Sequence, residues 1–258
     1  MYISEYGPRG APAIIFLHGN AVGGWMWQPY LGEFQGYHCL LLDLPGHGKS
    51  NSQEWLSLAD TAEQVVQIIR ERTSQQRAHF VGASLGGSVI FQLMCTSPET
   101  IDHTLITGTS LLPMPGLGFF KVMIRLMAPL IKTDFFMRIA LKALNFSDED
   151  CEQFRQSLHA ISRKTFVTAW SQALDLRYSS ELEKVKTPIL LMAGEKEQTF
   201  IHQSNSLLAE RLPNTKSRIA PKMGHGWMGE SPTLFSRVLK SWLTDTELPG
   251  ELLLIKEP

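Results

Sequence analysis

The chain has 258 residues, 43% of them hydrophobic and 19% charged, a balance that excludes a disordered or fibrous protein and suits one large globular domain or two small ones. Its formal net charge is −1 and its basic residues are scattered, which argues against nucleic acid or a membrane as partner, favours a small neutral or apolar molecule and leaves a homo-oligomer open. Cys39, Cys95 and Cys151 are far apart and odd in number, so neither a disulfide framework nor a structural zinc site is expected.

Residues 1–10 lack an apolar signal core, and no run of about 18 apolar residues occurs. The expectation is a cytoplasmic, unanchored protein. Along the chain, short apolar runs bounded by Gly, Pro and Asp alternate with segments of helical spacing. Such alternation specifies an α/β class, a mostly parallel sheet flanked by helices. The expected strands are 13–17, 38–42, 78–81, 103–107, 188–193 and 217–220, with 2–6 as an edge strand, about seven in all. Helices are expected over 27–34, 58–72, 84–96 and 233–243.

The first strand of the buried set runs into His18-Gly19-Asn20-Ala21. A loop there puts free backbone N–H groups at the carboxyl edge of the sheet, where ligands bind in α/β proteins. The N–H groups of Asn20 and Leu85 are the candidate donors for an oxyanion, and His18 reads as a structural hydrogen-bonding residue. Trp25 and Trp27 are expected to pack against the core below this loop.

The strongest local motif is Gly82-Ala83-Ser84-Leu85-Gly86, directly after one strand and before an apolar helix. A serine hydroxyl is a poor nucleophile unless a sharp turn presents it beside a base, and that turn needs glycines where chain segments approach. A chance glycine-rich turn is the plain alternative, so the motif needs partners elsewhere.

After Thr107 the alternation stops. Residues 112–183 are rich in Met, Phe, Leu and Ala, with helical periodicity and a breaker-rich start at Pro113-Met114-Pro115-Gly116. The expected domains are thus a core of 1–111 with 184–258 and a helical lid of 112–183. Phe119, Phe120, Met123, Met127, Phe135, Phe136 and Met137 are expected mostly in lid core or lid-to-core packing, with about a third lining a pocket.

The strand at 188–193 ends in Gly194-Glu195-Lys196-Glu197. Either glutamate could orient a catalytic histidine; Glu197, further into the loop, is preferred, and Glu195 has an alternative reading as a loop-capping or solvated residue. His225, in Met223-Gly224-His225-Gly226-Trp227 after the last strand, alone among the eight histidines has the position of a base. His38, His79 and His103 lie in or beside strands, His47 in a Gly-rich turn, and His159 and His202 in helical segments. The apolar tail at 252–255 has no assigned role beyond a strand or surface packing.

The order of His-Gly loop, Asp43-Leu44-Pro45-Gly46-His47-Gly48-Lys49-Ser50 loop, Ser84 turn, helical insertion, acid and histidine resembles the α/β-hydrolase superfamily over nearly the whole chain. That resemblance implies Ser84 as nucleophile, His225 as general base, Asn20 and Leu85 as oxyanion hole, and a lid that sets substrate choice. Members similar to this chain usually carry Asp where Glu197 stands. Residues 20–27 are also similar to the Trp-x-Trp loop of plant methylesterases and hydroxynitrile lyases.

Three functions follow. The first is hydrolysis of a carboxylic ester or thioester of a small, largely apolar substrate through an acyl-enzyme, with no cofactor and no metal. The second is carbon–carbon bond hydrolysis or a lyase reaction with the same groups. The third is a ligand receptor that kept the fold without turnover. Haloalkane dehalogenation is disfavoured because it uses an aspartate nucleophile where this turn carries Ser84.

Overall fold

The computed structural model describes residues 1–144 and 148–254. Among them, eight strands form one sheet in the order β1-β3-β2-β4-β5-β6-β7-β8. They are β1 (Tyr2–Tyr6), β2 (Ala13–Leu17), β3 (His38–Asp43), β4 (Ala78–Ala83), β5 (Ile101–Thr107), β6 (Ile189–Gly194), β7 (Thr215–Ala220) and β8 (Leu253–Leu254). Strands β2 to β7 run parallel, while β1 pairs antiparallel with β3 and β8 antiparallel with β7. The fold is thus the expected mostly parallel α/β arrangement.

Continuous apolar strands need cover on both faces, and the sheet receives it. All five residues of β2 are buried, and its alternating side chains serve opposite layers, as the two-residue period of a strand requires. Ile15 and Leu17 pack with Val65 and Ile69 of α1 (Leu58–Arg72) and with Val89 and Leu93 of α2 (Leu85–Thr96). Ile14 and Phe16 pack on the other side with Trp27 and Phe235. There the ring centroids of Phe16 and Trp27 are 5.4 Å apart, and those of Trp27 and Phe235 are 5.7 Å apart.

The segment expected as a helix over 27–34 is a 3₁₀ helix beginning at Gly24, with Pro29 inside it. Proline has no N–H to donate and its ring crowds the preceding turn, which disfavours an α-helix here. β5 and β7 each begin two residues earlier than expected, because their first residues include polar ones that apolar patterning passes over. The tail supplies β8 through Leu253 and Leu254; Ile255, the last residue of the expected run, lies outside the described residues.

Between β5 and β6 stand α3 (Leu117–Met127), α4 (Asp134–Leu144), α5 (Asp148–Ala160) and α6 (Arg163–Asp175). Their apolar centre includes Ile124, Ile131, Met137, Leu158 and Phe166, joined by Ala21 and Val22 from the loop after β2. The expectation for the large side chains of this region needs correction. Met137 is buried and Phe120, Met127 and Phe136 are half-buried, but Met123 is exposed, and Phe119 and Phe135 are 74% and 66% exposed. The sequence of α3 is apolar on more than one side, and a helix packed along a single stripe can bury only one of them. Past the sheet come α7 (Thr199–Arg211), the short α8 (Trp227–Glu230) and α9 (Pro232–Leu243). No helix among the described residues is long and apolar enough to cross a membrane.

Candidate active site

Ser84 sits between β4 and α2 with φ 51° and ψ −108°. A non-glycine residue in this region stores backbone strain, which persists only where the surroundings fix it. They do so on both sides of the residue. The Ser84 N–H donates to the Thr107 carbonyl at 2.8 Å, and the Thr109 hydroxyl donates to the Ser84 carbonyl at 2.9 Å. Glycine is obligatory at Gly86, where a Cβ would stand 2.2 Å from the Leu17 carbonyl oxygen. This close approach seats the start of α2 against the end of β2. A Cβ on Gly19 would lie 3.7 Å from the Ser84 Cβ, so the His18-Gly19-Asn20 loop borders the serine.

The acid and histidine loops are joined through the backbone. Glu195 N–H donates to Ala220 O at 2.9 Å and Lys196 N–H to Met223 O at 2.8 Å. This brings His225 Nδ1 to 3.0 Å from both carboxylate oxygens of Glu197. Nδ1–H must be the donor there, because a carboxylate only accepts; the far nitrogen, Nε2, is then the unprotonated one in the neutral ring. Glu195 instead accepts the Lys222 N–H at 2.6 Å. Burial pushes the His225 pKa down, but the hydrogen bond and charge of Glu197 outweigh it and leave the value above the ordinary 6.5.

One short strap, Thr107-Gly108-Thr109, links the serine to the histidine. Besides its two bonds to Ser84, its Thr107 hydroxyl accepts the Trp227 indole N–H at 2.8 Å, two residues beyond His225. Gly108 has φ 65°, and a Cβ there would stand 2.6 Å from Cε1 of His225. The imidazole therefore rests against bare backbone. Sequence reasoning passed over this strap; a glycine directly after β5 was the available signal.

The loop bearing Asn20 is held from two sides. Its side-chain amide donates to the Phe166 carbonyl in α6 at 3.0 Å, and its oxygen lies 2.8 Å from His47 Nε2. His47 Nδ1 lies 2.9 Å from the Pro45 carbonyl. Burial, with the nearby His18, pushes the His47 pKa down to about 3. The neutral ring has one N–H facing two oxygens, so only one of these contacts carries a proton. His18 is fully satisfied: Nδ1–H donates to Gly19 O and Nε2 accepts the Leu44 N–H. Burial pushes its pKa down to about 4.

The two tryptophans of this loop part company. Trp27 is in the core, as expected, but Trp25 packs against the inserted helices and donates its indole N–H to the Ser157 hydroxyl of α5 at 2.9 Å. The expectation that both lie below the loop is corrected for Trp25, whose polar edge finds its partner in the insertion. Among the described residues no cluster of three or more His, Cys, Asp or Glu is arranged to hold a metal ion.

A family model described as the alpha/beta hydrolase fold matches residues 12–232. The chain belongs to the α/β-hydrolase fold family. It is 27% identical over 247 residues to a pimeloyl-[acyl-carrier protein] methyl ester esterase of Aeromonas salmonicida, covering 89% of this chain and 94% of that protein. It is 24% identical over 258 residues to a 2-hydroxy-6-oxononadienedioate/2-hydroxy-6-oxononatrienedioate hydrolase of Paraburkholderia phymatum, covering 91% and 88%. Among solved structures, MenH from S. aureus superposes with a TM-score of 0.79 at 19% identity, covering 95% of this chain and 98% of that one. At that identity the likeness speaks for the fold alone.

Proposed function

We propose that the protein is a serine hydrolase that cleaves a carboxylic ester or thioester of a small, largely apolar substrate through an acyl-enzyme. The observation that carries this reading is the strap Thr107-Gly108-Thr109, which fixes the strained Ser84 on one side while the imidazole of His225, aligned by Glu197, rests on the other. A helical lid, residues 112–183, and a cytoplasmic location belong to the same reading.

In the reaction, Ser84 Oγ attacks the carbonyl carbon and its proton passes to His225 Nε2. The N–H groups of Asn20 and Leu85 stabilise the oxyanion; the first turn of α2 has N–H groups that no helical carbonyl reaches. Collapse breaks the carbon–oxygen or carbon–sulfur bond, and the leaving group takes the proton from Nε2. Water repeats the attack on the acyl-enzyme with His225 as base, releasing the acid and restoring the serine. Glu197 keeps its negative charge throughout and stabilises the imidazolium.

The relative from P. phymatum favours one further reading, carbon–carbon bond hydrolysis with the same groups. Hydrolysis of p-nitrophenyl esters of increasing acyl length, in the wild type and Ser84→Ala, separates the two. Ester turnover that vanishes in the variant supports the acyl-enzyme. Turnover that survives in Ser84→Ala overturns the role of this serine, and absence of any ester turnover moves the assignment to the second reading.

A further inference from the structure

We propose that the outer face of α3 and α4 is an adsorption surface for anionic lipid headgroups and the acyl region just beneath them. Seven of the twelve large apolar side chains exposed among the described residues fall between positions 119 and 139. On α3 and the turn after it, Phe119, Val122, Leu126 and Leu130 recur at intervals of three and four, one stripe of a helix. On α4, Phe135 and Ile139 stand one turn apart. Apolar residues gathered in this way on a surface mark an interaction site, whereas scattered ones do not.

The charges on the same face select the partner. Arg125 and Arg138 are exposed beside these apolar side chains, and Lys132, exposed in the turn between the two helices, keeps its positive charge while donating to the His159 carbonyl at 2.6 Å. The acid in their midst, Asp134, is paired with Arg155 of α5 at 3.3 Å. The whole-chain charge of −1, which spoke against a lipid surface, averages over this local separation. A face of exposed Phe and Leu interleaved with Arg and Lys matches the interface plane of an anionic bilayer, the chains entering just below the headgroups and the cations meeting them. The helices lie on such a surface and do not cross it, in keeping with their length.

The test is co-sedimentation with vesicles of phosphatidylcholine alone and of phosphatidylcholine with roughly a third phosphatidylglycerol. Binding to the anionic vesicles is expected to be at least about tenfold tighter and to weaken with salt, since each cation near such a surface contributes about a fivefold factor. Phe119→Ser with Leu126→Ser and Phe135→Ser should abolish it. So should Arg125→Glu with Arg138→Glu, a pair at exposed positions that keeps the test valid if the triple variant misfolds; thermal melting checks the fold of both. Equal binding to neutral vesicles, or binding to neither, overturns the proposal. A dimer that is lost in the triple variant would overturn it too, by assigning the face to a second copy of the chain.

Discussion

Nδ1 of His225 lies 3.0 Å from each carboxylate oxygen of Glu197, and the two partners differ in solvent access: the carboxylate side chain is 4% exposed and the imidazole 39%. The buried acid thus fixes the ring while the ring itself stays open to solvent. Because the histidine pKa is held above 6.5 and only the neutral ring can accept a proton, kcat/KM for ester hydrolysis should rise with pH through a value above 6.5. Glu197→Gln should lower the plateau by about 10³–10⁴-fold, the loss that a misassigned tautomer produces, and move the rising limb to lower pH. A limb that stays in place in the variant would separate Glu197 from the titration.

The same shift gives stability the opposite sign. A raised folded pKa means that the His225–Glu197 interaction contributes fully below 6.5, where the ring is protonated folded and unfolded, and fades as pH rises through the folded value. The difference in Tm between wild type and Glu197→Gln should therefore be largest between about pH 5 and 6.5 and shrink above it, while activity climbs. Melting curves across that range read it directly.

Gly108 is the point at which the histidine touches the backbone that holds the serine. In Gly108→Ala the new Cβ would fall 2.6 Å from His225 Cε1 and 3.0 Å from Nδ1, at a residue whose φ is 65°. The ring must move, because the strap is tied down by its bonds to Ser84. A displacement near 1 Å costs about 10²-fold in rate, and the left-handed backbone adds about 1 kcal/mol of instability. We expect kcat to fall by at least that factor in a protein that still folds cooperatively. Unchanged kcat would mean that the ring position is not set here.

The buried strands were legible because β2 and β6 are unbroken apolar runs and β3 carries one, Cys39 to Leu42, between His38 and Asp43, and the Ser84 turn because its glycines stand between a strand and an apolar helix. Strand ends were less so: β5 opens with Ile101, Asp102 and His103, and β7 with Thr215 and Lys216, where pairing rather than burial defines the element. The contacts that organise the site were hidden for a different reason. Asn20 to Phe166 spans 146 positions, Trp25 to Ser157 spans 132 and Trp227 to Thr107 spans 120, distances over which no local periodicity carries information. The exposure of Phe119 and Phe135 was equally invisible, since an apolar helix face looks the same in sequence whether or not anything covers it.

Asn20 couples the loop beside Ser84 to α6. Its side chain meets the Phe166 carbonyl and His47 Nε2. Asn20→Ala keeps the backbone N–H but removes the bond to Phe166 and the contact with His47, leaving the Phe166 carbonyl without that donor, a cost of about 1–3 kcal/mol. Since the proposed role of the loop is to hold an oxyanion donor, the loss should appear mainly in kcat, by about 10–10²-fold, with KM changing less. A variant altered in KM alone would assign Asn20 to substrate binding.

Ser84 offers a test in which stability and activity separate. Its φ of 51° and ψ of −108° are costly for a side chain but open to glycine, and such strain is worth about 1–3 kcal/mol. Glycine also loses more chain entropy on folding, by about 0.5–1 kcal/mol, which offsets part of the relief. Ser84→Gly should therefore melt higher than both the wild type and Ser84→Ala, since alanine keeps the strained Cβ and gains nothing. All ester turnover should be lost in both variants. If glycine and alanine melted alike, the turn would be held without strain, and the backbone bonds of Ser84 to Thr107, Thr109 and Ser88 would suffice to set it.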